Sequence, residues 1–281
     1  MIVQGNVIAV RCVELPLRDL PPAFEGTTLV YLSDLHMTTL SPPGKMAALM
    51  KQLEKIQPDL LILGGDYTGN DILGELAVRN SREIYGSKQA EMREFFFLSL
   101  ADFEAPLGKF AVAGDMDNLL ERSAQTSLAD AAAMGGVKLL RDETARIEKD
   151  GQTLALTGVD EWRTGIQDTR TPARGLRSSD CVILVSHNPE ALPQLAAQPG
   201  EDGAQWIDAA LTGHTLGGQI KIGGRELFNP LAGDERYTAG WHMESGVKLL
   251  ISEGLCGSFL PLRLGTRSEI HVITLRRQTS E

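Results

Sequence analysis

Cysteine, aromatic residues and positive charge are all scarce in this sequence of 281 residues. The three cysteines, Cys12, Cys181 and Cys256, show no CxxC spacing, which argues against a disulfide framework. Aromatic residues make up 5% of the chain, and 37 acidic against 27 basic residues give a formal net charge of −10. Because such a surface repels polyanions at long range, we expect no nucleic-acid partner.

Long apolar runs are missing as well. No stretch approaches the roughly 18 uncharged apolar residues that a membrane helix needs, and the first residues lack the features of a signal peptide. Together with unpaired cysteines, this predicts a soluble, cytoplasmic protein without a membrane segment. Linkers, repeats and low-complexity segments are absent too, so we expect residues 1–281 to form one domain. The oligomeric state does not follow from the sequence.

Short apolar runs alternate with helical patterns along the chain. The helical pattern is clearest at 46–56 and 91–102, and the region after about residue 230 is β-rich. This alternation predicts an α/β fold with helices packed outside sheets. The predicted strands are 28–32, 60–63, 110–113, 154–157, 182–185 and 209–212.

Five of these strands end in a loop that carries Asp or His, as expected where an α/β sheet assembles a site at one edge. Each such residue, taken alone, has an ordinary explanation as a cap, a turn residue or a loop histidine. Taken together they indicate a metal site, since three of only five histidines lie where the carboxylates also lie. Mixed Asp and His ligands suit Mn, Fe, Co or Zn. The candidate ligands are Asp34, His36, Asp66, Asp115, His187 and His214.

The order and spacing of these motifs resemble the calcineurin-like metallophosphoesterases. The sequence has D-x-H at 34–36, G-D at 65–66, a third block starting at Gly114, a strand-end histidine, and G-H-T-L-G-G-Q at 213–219. The last segment is close to the family's Gly-His-Thr-His-Gly-Gly-Gln. Segments around 15–22, 252–257, 261–263 and 268–270 resemble one bacterial branch, so the resemblance extends over about residues 12–276.

This resemblance implies a four-layer αββα sandwich in which two metal ions lie at the strand ends. It also implies hydrolysis of phosphate esters by a metal-bound hydroxide, with catalytic roles for Asp34, Asp66, Asp115 and His214. Asp34 and His36 would bind the first ion, and Asp66 would bridge both. Asp115, His187 and His214 would complete the second site. Mn is the favoured metal, with Fe, Zn or Co as alternatives.

Three positions depart from the family pattern. Asp115 replaces an asparagine, and Met116 replaces the histidine that assists the leaving group. Leu216 replaces a histidine ligand of the first metal. Because Met and Leu can neither donate a proton nor bind a hard cation, we expect one tight and one weaker metal site. His242 is a conceivable substitute imidazole, without support from its spacing.

These departures favour a phosphodiester or pyrophosphate substrate with a good leaving group, which needs no proton donor at position 116. Phosphorylated small molecules and lipid-linked substrates both fit, including nucleotide-sugar-lipid pyrophosphates, because family members that cleave these also lack that histidine. The alternative is a catalytically idle metal-binding scaffold, which the intact second set of ligands disfavours. Two further questions stay open: whether the aromatic run 94–98 is core or an acyl contact, and whether 160–162 line the cleft or form a turn.

Overall fold

Two six-stranded sheets make up the centre of the computed structural model. It describes residues 7–38, 41, 44–70, 86–121, 124, 126–223, 225–227, 236–259 and 262–278. The strands are β1 (Ile8–Leu17), β2 (Thr28–Leu32), β3 (Leu60–Leu63), β4 (Lys109–Ala111), β5 (Lys138–Leu139), β6 (Glu143–Lys149), β7 (Gln152–Gly158), β8 (Val182–Val185), β9 (Ala209–Thr212), β10 (Lys221–Ile222), β11 (Arg225–Glu226), β12 (Gly240–Glu244), β13 (Val247–Ile251) and β14 (Ser268–Arg277).

The first sheet has the strand order β1-β14-β2-β3-β4-β5, and the second has the order β12-β13-β9-β8-β7-β6. Strands β2 to β5 run parallel to one another, as do β7, β8, β9 and β13. A small hairpin of β10 and β11 lies outside both sheets. Parallel strands end at the same edge of a sheet, so each sheet presents one edge lined by strand-end loops.

The helices are α1 (Lys45–Ile56), α2 (residues 86–98), α3 (Asp115–Glu121), α4 (Leu128–Met134) and α5 (Leu192–Ala196). Helix α1 matches the prediction at 46–56. Helix α2 begins before the predicted start at residue 91 and ends at 98, where turns replace its predicted last residues. Among the described residues, no helix combines the length and apolar character needed to cross a membrane.

Three apolar clusters divide the structure into layers. The central one packs the inner faces of the two sheets together, for example Tyr31 and Ile62 against Leu156 and Ile183. A second cluster packs α1, α2 and α4 on the outer face of the first sheet, and a third packs α5 and neighbouring loops on the outer face of the second. The predicted four-layer αββα architecture is therefore confirmed.

The aromatic run on α2 belongs largely to this packing. Phe96 and Phe97 are fully buried, and both rings contact the ring of Tyr67. Phe95, which precedes them, has 62% of its surface exposed to solvent. The core explanation of this run therefore accounts for two of its three phenylalanines, and no acyl-chain contact is needed for them.

Candidate metal centre

The six predicted ligands come together where strands of both sheets end. Asp34 and His36 follow β2, Asp66 follows β3, and Asp115 begins α3 after β4. His187 follows β8 and His214 follows β9, both in the second sheet. The first three residues form one candidate metal group and the last three form another, and within each group the potential ligand atoms lie within 4.8 Å of one another.

His187 joins the two groups. Its Nε2 lies 3.2 Å from Asp115 Oδ1, 3.4 Å from Asp66 Oδ2 and 4.0 Å from Asp34 Oδ1. His36 Nε2 likewise lies 3.4 Å from Asp66 Oδ2. All of these side chains are buried except that of Asp115, which is 23% exposed. Asp115 is therefore the most accessible of these candidate ligands.

The backbone is shaped to bring these side chains inward. Four of the six candidate ligands have a positive φ: Asp34 (52°), His36 (39°), Asp66 (55°) and His214 (69°). Residues other than glycine rarely adopt this region, and such conformations concentrate at functional sites. Neighbouring glycines are required sterically, because a Cβ at Gly114 would lie 2.2 Å from Asp66 Oδ1 and one at Gly213 would lie 2.4 Å from Asp34 Oδ2. The glycines of the third block and of the G-H motif thus make room for the carboxylates.

The hydrogen bonds around the site orient lone pairs towards its centre. His187 Nδ1 lies 2.7 Å from the carbonyl oxygen of Gly64, which places the ring proton on Nδ1. When the ring is neutral, its Nε2 lone pair faces three carboxylates, and among the described residues this nitrogen has no hydrogen-bond partner. A buried imidazole nitrogen that faces carboxylate oxygens is a donor set of the kind that holds a divalent transition metal.

Charge in the metal-free site is distributed between these groups. Burial lowers the pKa of His187, but the facing carboxylates of Asp66, Asp115 and Asp34 outweigh it and raise that pKa well above its usual value. For His36, too, burial is outweighed by Asp66 and Asp34, so its pKa is raised. Protons on the imidazoles therefore balance the carboxylates, and a metal ion must displace them.

The side chains of Met116 and Leu216 can neither donate a proton nor bind a metal ion, but the backbone of each residue makes a hydrogen bond at the site. The Met116 N–H donates a 2.9 Å hydrogen bond to Asp66 Oδ1. Leu216 is buried, and its carbonyl oxygen accepts a hydrogen bond from Arg263 Nη1. His242 Nε2 lies 3.0 Å from the Ala239 carbonyl oxygen, and His242 belongs to neither candidate metal group.

Asp117 is a site residue that the sequence reasoning missed. This fully buried carboxylate accepts hydrogen bonds from the N–H groups of Asp66 (2.7 Å), Gly114 (2.9 Å) and Tyr67 (3.2 Å). Burial and the nearby charge of Asp66 raise its pKa to about 7. In the sequence, Asp117 could have been recognised as the second acid in the segment 114–117, which follows a predicted strand. Buried backbone N–H groups at a strand end need an acceptor, and a nearby carboxylate can supply it.

Arg163 was also missed. Its Nη1 lies 2.8 Å from His214 Nε2, on the side of the ring away from Asp115. The preceding residues 160–162 form a turn, one of the two explanations given for them, in which the buried Glu161 accepts the Arg163 N–H at 2.9 Å. A single cation after a strand end gives too weak a signal to be singled out from sequence.

Comparison with known proteins places the chain in a family. Residues 27–218 match the model of the calcineurin-like phosphoesterases. The uncharacterized protein YpbG of Bacillus subtilis is 30% identical over 249 residues, which cover 88% of this chain and 80% of YpbG. The uncharacterized metallophosphoesterase YkuE of the same organism is 25% identical over 92% of this chain and 82% of its own. Phosphodiesterase YaeI of Escherichia coli is 25% identical, over 88% of this chain and 81% of YaeI. The chain therefore belongs to the calcineurin-like phosphoesterase family and is a metal-dependent phosphoric ester hydrolase.

Proposed function

We propose that this enzyme hydrolyses a phosphodiester or pyrophosphate bond whose leaving group needs no proton. The observation that carries this proposal is the chemistry at position 116. Met116 contributes a backbone N–H to Asp66 and offers no acidic side chain beside the metal centre. A phosphate or nucleotide leaves as a stable anion, whereas an alkoxide does not.

The six candidate ligands would hold two ions with unequal strength. The position formed by Asp66, Asp115, His187 and His214 has four protein ligands, and the one formed by Asp34, His36 and Asp66 has three. When bound, such ions offset charge on phosphoryl oxygens and lower the pKa of water. Mn suits this mixture of carboxylates and imidazoles, as do Fe, Zn and Co.

Hydrogen bonds within the protein hold the candidate ligands in position for metal binding. Asp66 lies between the two positions, held by the Met116 N–H through its carboxylate and by Asp117 through its backbone N–H. His187 is locked by the Gly64 carbonyl oxygen. A ligand set fixed in this way loses little free energy to reorganisation when substrate binds. Phosphorylated small molecules and lipid-linked pyrophosphates, including nucleotide-sugar-lipid compounds, are the substrate classes that this proposal covers.

A leaving-group series tests the proposal. With metal added, the rate of diester hydrolysis should fall steeply as the pKa of the leaving alcohol rises, so that activated aryl diesters and pyrophosphates are cleaved and alkyl monoesters are nearly inert. Met116→His should raise the rate for alkyl leaving groups, by up to about 10²–10⁴-fold, and change aryl substrates much less. Met116→Leu is the matched control and should leave the slope as it is. A wild-type rate independent of leaving-group pKa would contradict the proposal.

A further inference from the structure

Arg263 is a buried cation in the segment that precedes β14. Only 3% of its surface is exposed, and among the described residues no carboxylate lies within ion-pair distance of it. Its guanidinium instead donates hydrogen bonds to four backbone carbonyl oxygens and one hydroxyl. Burying a charge is costly unless hydrogen bonds satisfy it, so the positions of these five acceptors indicate what the residue does.

Two of the acceptors are the ends of one loop. Arg263 Nη2 lies 2.5 Å from the carbonyl oxygen of Glu253 and 2.5 Å from that of Cys256. The loop 253–256 follows β13, which pairs with β9, the strand that ends before His214. A single guanidinium nitrogen therefore fixes both ends of a loop that lies at the same sheet edge as the metal centre.

This loop packs against Asp34, the first of the candidate ligands. The N–H groups of Leu255 and Cys256 donate to the Asp34 carbonyl oxygen at 3.1 and 2.9 Å. A Cβ added to Gly254 would lie 2.6 Å from Asp34 Cβ, so the loop backbone contacts this residue directly. Asp34 itself has a φ of 52°, a conformation that persists only where the surrounding structure imposes it. The loop is one part of that surrounding structure.

A third acceptor belongs to the segment 214–216. Arg263 Nη1 lies 3.2 Å from the carbonyl oxygen of Leu216. Two residues earlier, the His214 N–H donates to both carboxylate oxygens of Asp34, at 3.1 and 3.2 Å. The loop thus holds the backbone of Asp34, and this segment holds its carboxylate. Arg263 connects the two.

The last two acceptors anchor the guanidinium itself. They are the Thr266 hydroxyl at 3.4 Å and the Arg267 carbonyl oxygen at 3.3 Å, both in the segment that carries Arg263. The same hydroxyl donates to the Gln219 carbonyl oxygen at 2.8 Å. The guanidinium is therefore held from its own segment as well as from the two that it connects.

Charge and hydrogen-bond geometry act in opposite directions at this position. Burial lowers the pKa of Arg263 and the negative charge of Asp34 opposes that shift, while an arginine stays protonated throughout. A fixed positive charge near Asp34 repels a metal ion, whereas the hydrogen bonds of Arg263 hold a ligand of that ion in place. Lysine keeps the charge but carries its donors on one atom, so it cannot serve acceptors that two guanidinium nitrogens share.

We propose that Arg263 is a positioning residue of the first metal position. It fixes the loop 253–256 and the segment 214–216 relative to each other, and so keeps the Asp34 carboxylate turned towards the ion that Asp34 would share with His36. The carboxylate that serves both positions is held differently, since Asp66 accepts the Met116 N–H. This inference rests on the proposed function, in which the two positions bind metal with unequal strength.

Titration of chelator-treated protein with Mn tests this role without turnover. Arg263→Lys should weaken the second, weaker binding event by about tenfold or more and change the tight event by less than about threefold. Arg267→Lys is the matched control, because Arg267 is exposed and contacts Arg263 only through its backbone; it should change neither event. A lysine variant that binds both ions as wild type does, or one that binds both more weakly to the same extent, would overturn the assignment.

Amide hydrogen exchange gives a second readout, which wild-type protein supplies even if Arg263→Lys does not fold. In metal-free wild type, the Leu255 and Cys256 N–H groups should be protected, because the loop is held before metal binds. In folded Arg263→Lys, their exchange should be faster by about tenfold or more, while exchange in β3 stays as it is. Unprotected loop amides in metal-free wild type would overturn the inference.

The two proposals fail in different ways. If Arg263→Lys weakens only the second binding event while wild type cleaves no phosphate ester with Mn, the proposed function fails and the positioning role of Arg263 stands. If wild type cleaves esters but shows no second binding event, the assignment of Arg263 to the first metal position fails and the proposed function stands.

Discussion

At the scale of single residues, the two metal positions differ in how many side chains face them. His187 and His214 meet Asp115 and Asp66 on one side, whereas only His36 and Asp34 accompany Asp66 on the other. Leu216 occupies the place of the missing imidazole in the sequence pattern and has a φ of 56°. Histidine tolerates this left-handed region better than a leucine does, so the backbone there can accept the replacement.

Leu216→His should therefore strengthen the weaker metal position. We expect wild-type protein to show one tight and one weak event in a metal titration, and the variant to show a second event tightened by about tenfold or more. Activity at low metal concentration should rise for every substrate, unlike the selective effect at position 116. Leu216→Met is the matched control. Equal, tight binding of two ions by wild type would show that another ligand completes the first position.

Which site residues can be predicted from sequence depends on where they lie on the chain. Asp34, Asp66 and His214 directly follow runs of buried apolar residues, and parallel strands bring their ends to one edge. Arg163 and Asp117 act through contacts with residues about 50 positions away, which nothing in the local pattern encodes. In each case the partner follows another strand of the same sheet, so the contact becomes visible only once that sheet is assembled.

At the scale of elements, Asp117 joins the end of β3 to the start of α3. Its carboxylate takes the N–H groups of Asp66 and Tyr67 from one loop and that of Gly114 from the other. The loop that carries Asp66 is thereby fixed to the helix that carries Asp115. A carboxylate in the first turn of a helix is also favoured by the helix dipole.

Replacing this carboxylate should loosen both elements. Asp117→Asn keeps one acceptor oxygen and turns the other into a donor that faces backbone N–H groups. We expect a loss of about 1–3 kcal/mol in the free energy of unfolding by urea, and metal affinity lower by about 10–100-fold. The measurement belongs at about pH 8, above the Asp117 pKa of about 7. Asp102→Asn, at an exposed position, is the control. If Asp117→Asn changes stability and metal affinity no more than Asp102→Asn does, Asp117 does not join the two elements.

Elements buried on both faces were predictable, and edge elements were not. Strands β2, β3, β8 and β9 form short unbroken apolar runs, which is the expected pattern when sheets are covered on both sides. Strand β1 has only three buried residues among its ten, contains Pro16, and pairs with β14 from the far end of the chain. Strand β6, with four charged residues among its seven, was missed for the same reason.

At the scale of the whole molecule, the metal centre connects protonation to stability. The pKa of His187 and of His36 is raised in the folded, metal-free protein, so their stabilising contribution is complete below about pH 6.5 and is lost as the pH rises through the raised values. The raised pKa of Asp117 acts in the same direction up to about pH 7. Metal ions replace the imidazole protons, so their affinity should increase over this range.

Metal should therefore stabilise the protein more at higher pH. After treatment with a chelator, the Tm should fall between about pH 6 and about pH 8, and the increase in Tm on adding Mn should grow over the same interval. At about a hundred times the Kd, binding adds about 2.7 kcal/mol. Calorimetry in buffers of different ionisation enthalpy should show proton release. A metal-induced shift that does not depend on pH would contradict the assignment of both imidazoles.

The architecture as a whole was predictable because the order of its motifs resembles that of the calcineurin-like phosphoesterases, whereas the strand pattern alone predicts only an α/β fold with a site at one sheet edge. No comparable motif bears on the number of domains or on the location in the cell, and residues 1–281 as one domain stays a prediction. The packing of the two inner faces, with Tyr31 and Ile62 against Ile183, is what brings His187 from the second sheet to Asp66 in the first.

The most direct test of the metal centre is the Asp66→Asn variant, because Asp66 contacts both halves of the site. Asparagine keeps the shape and the acceptor for the Met116 N–H, so the fold should persist by circular dichroism. With Mn added, wild type should hydrolyse bis-p-nitrophenyl phosphate, and the variant should lose at least about a hundredfold in kcat/KM together with bound metal. Asp102→Asn should behave as wild type. Equal turnover by Asp66→Asn, or no metal-dependent turnover by wild type, would contradict the account.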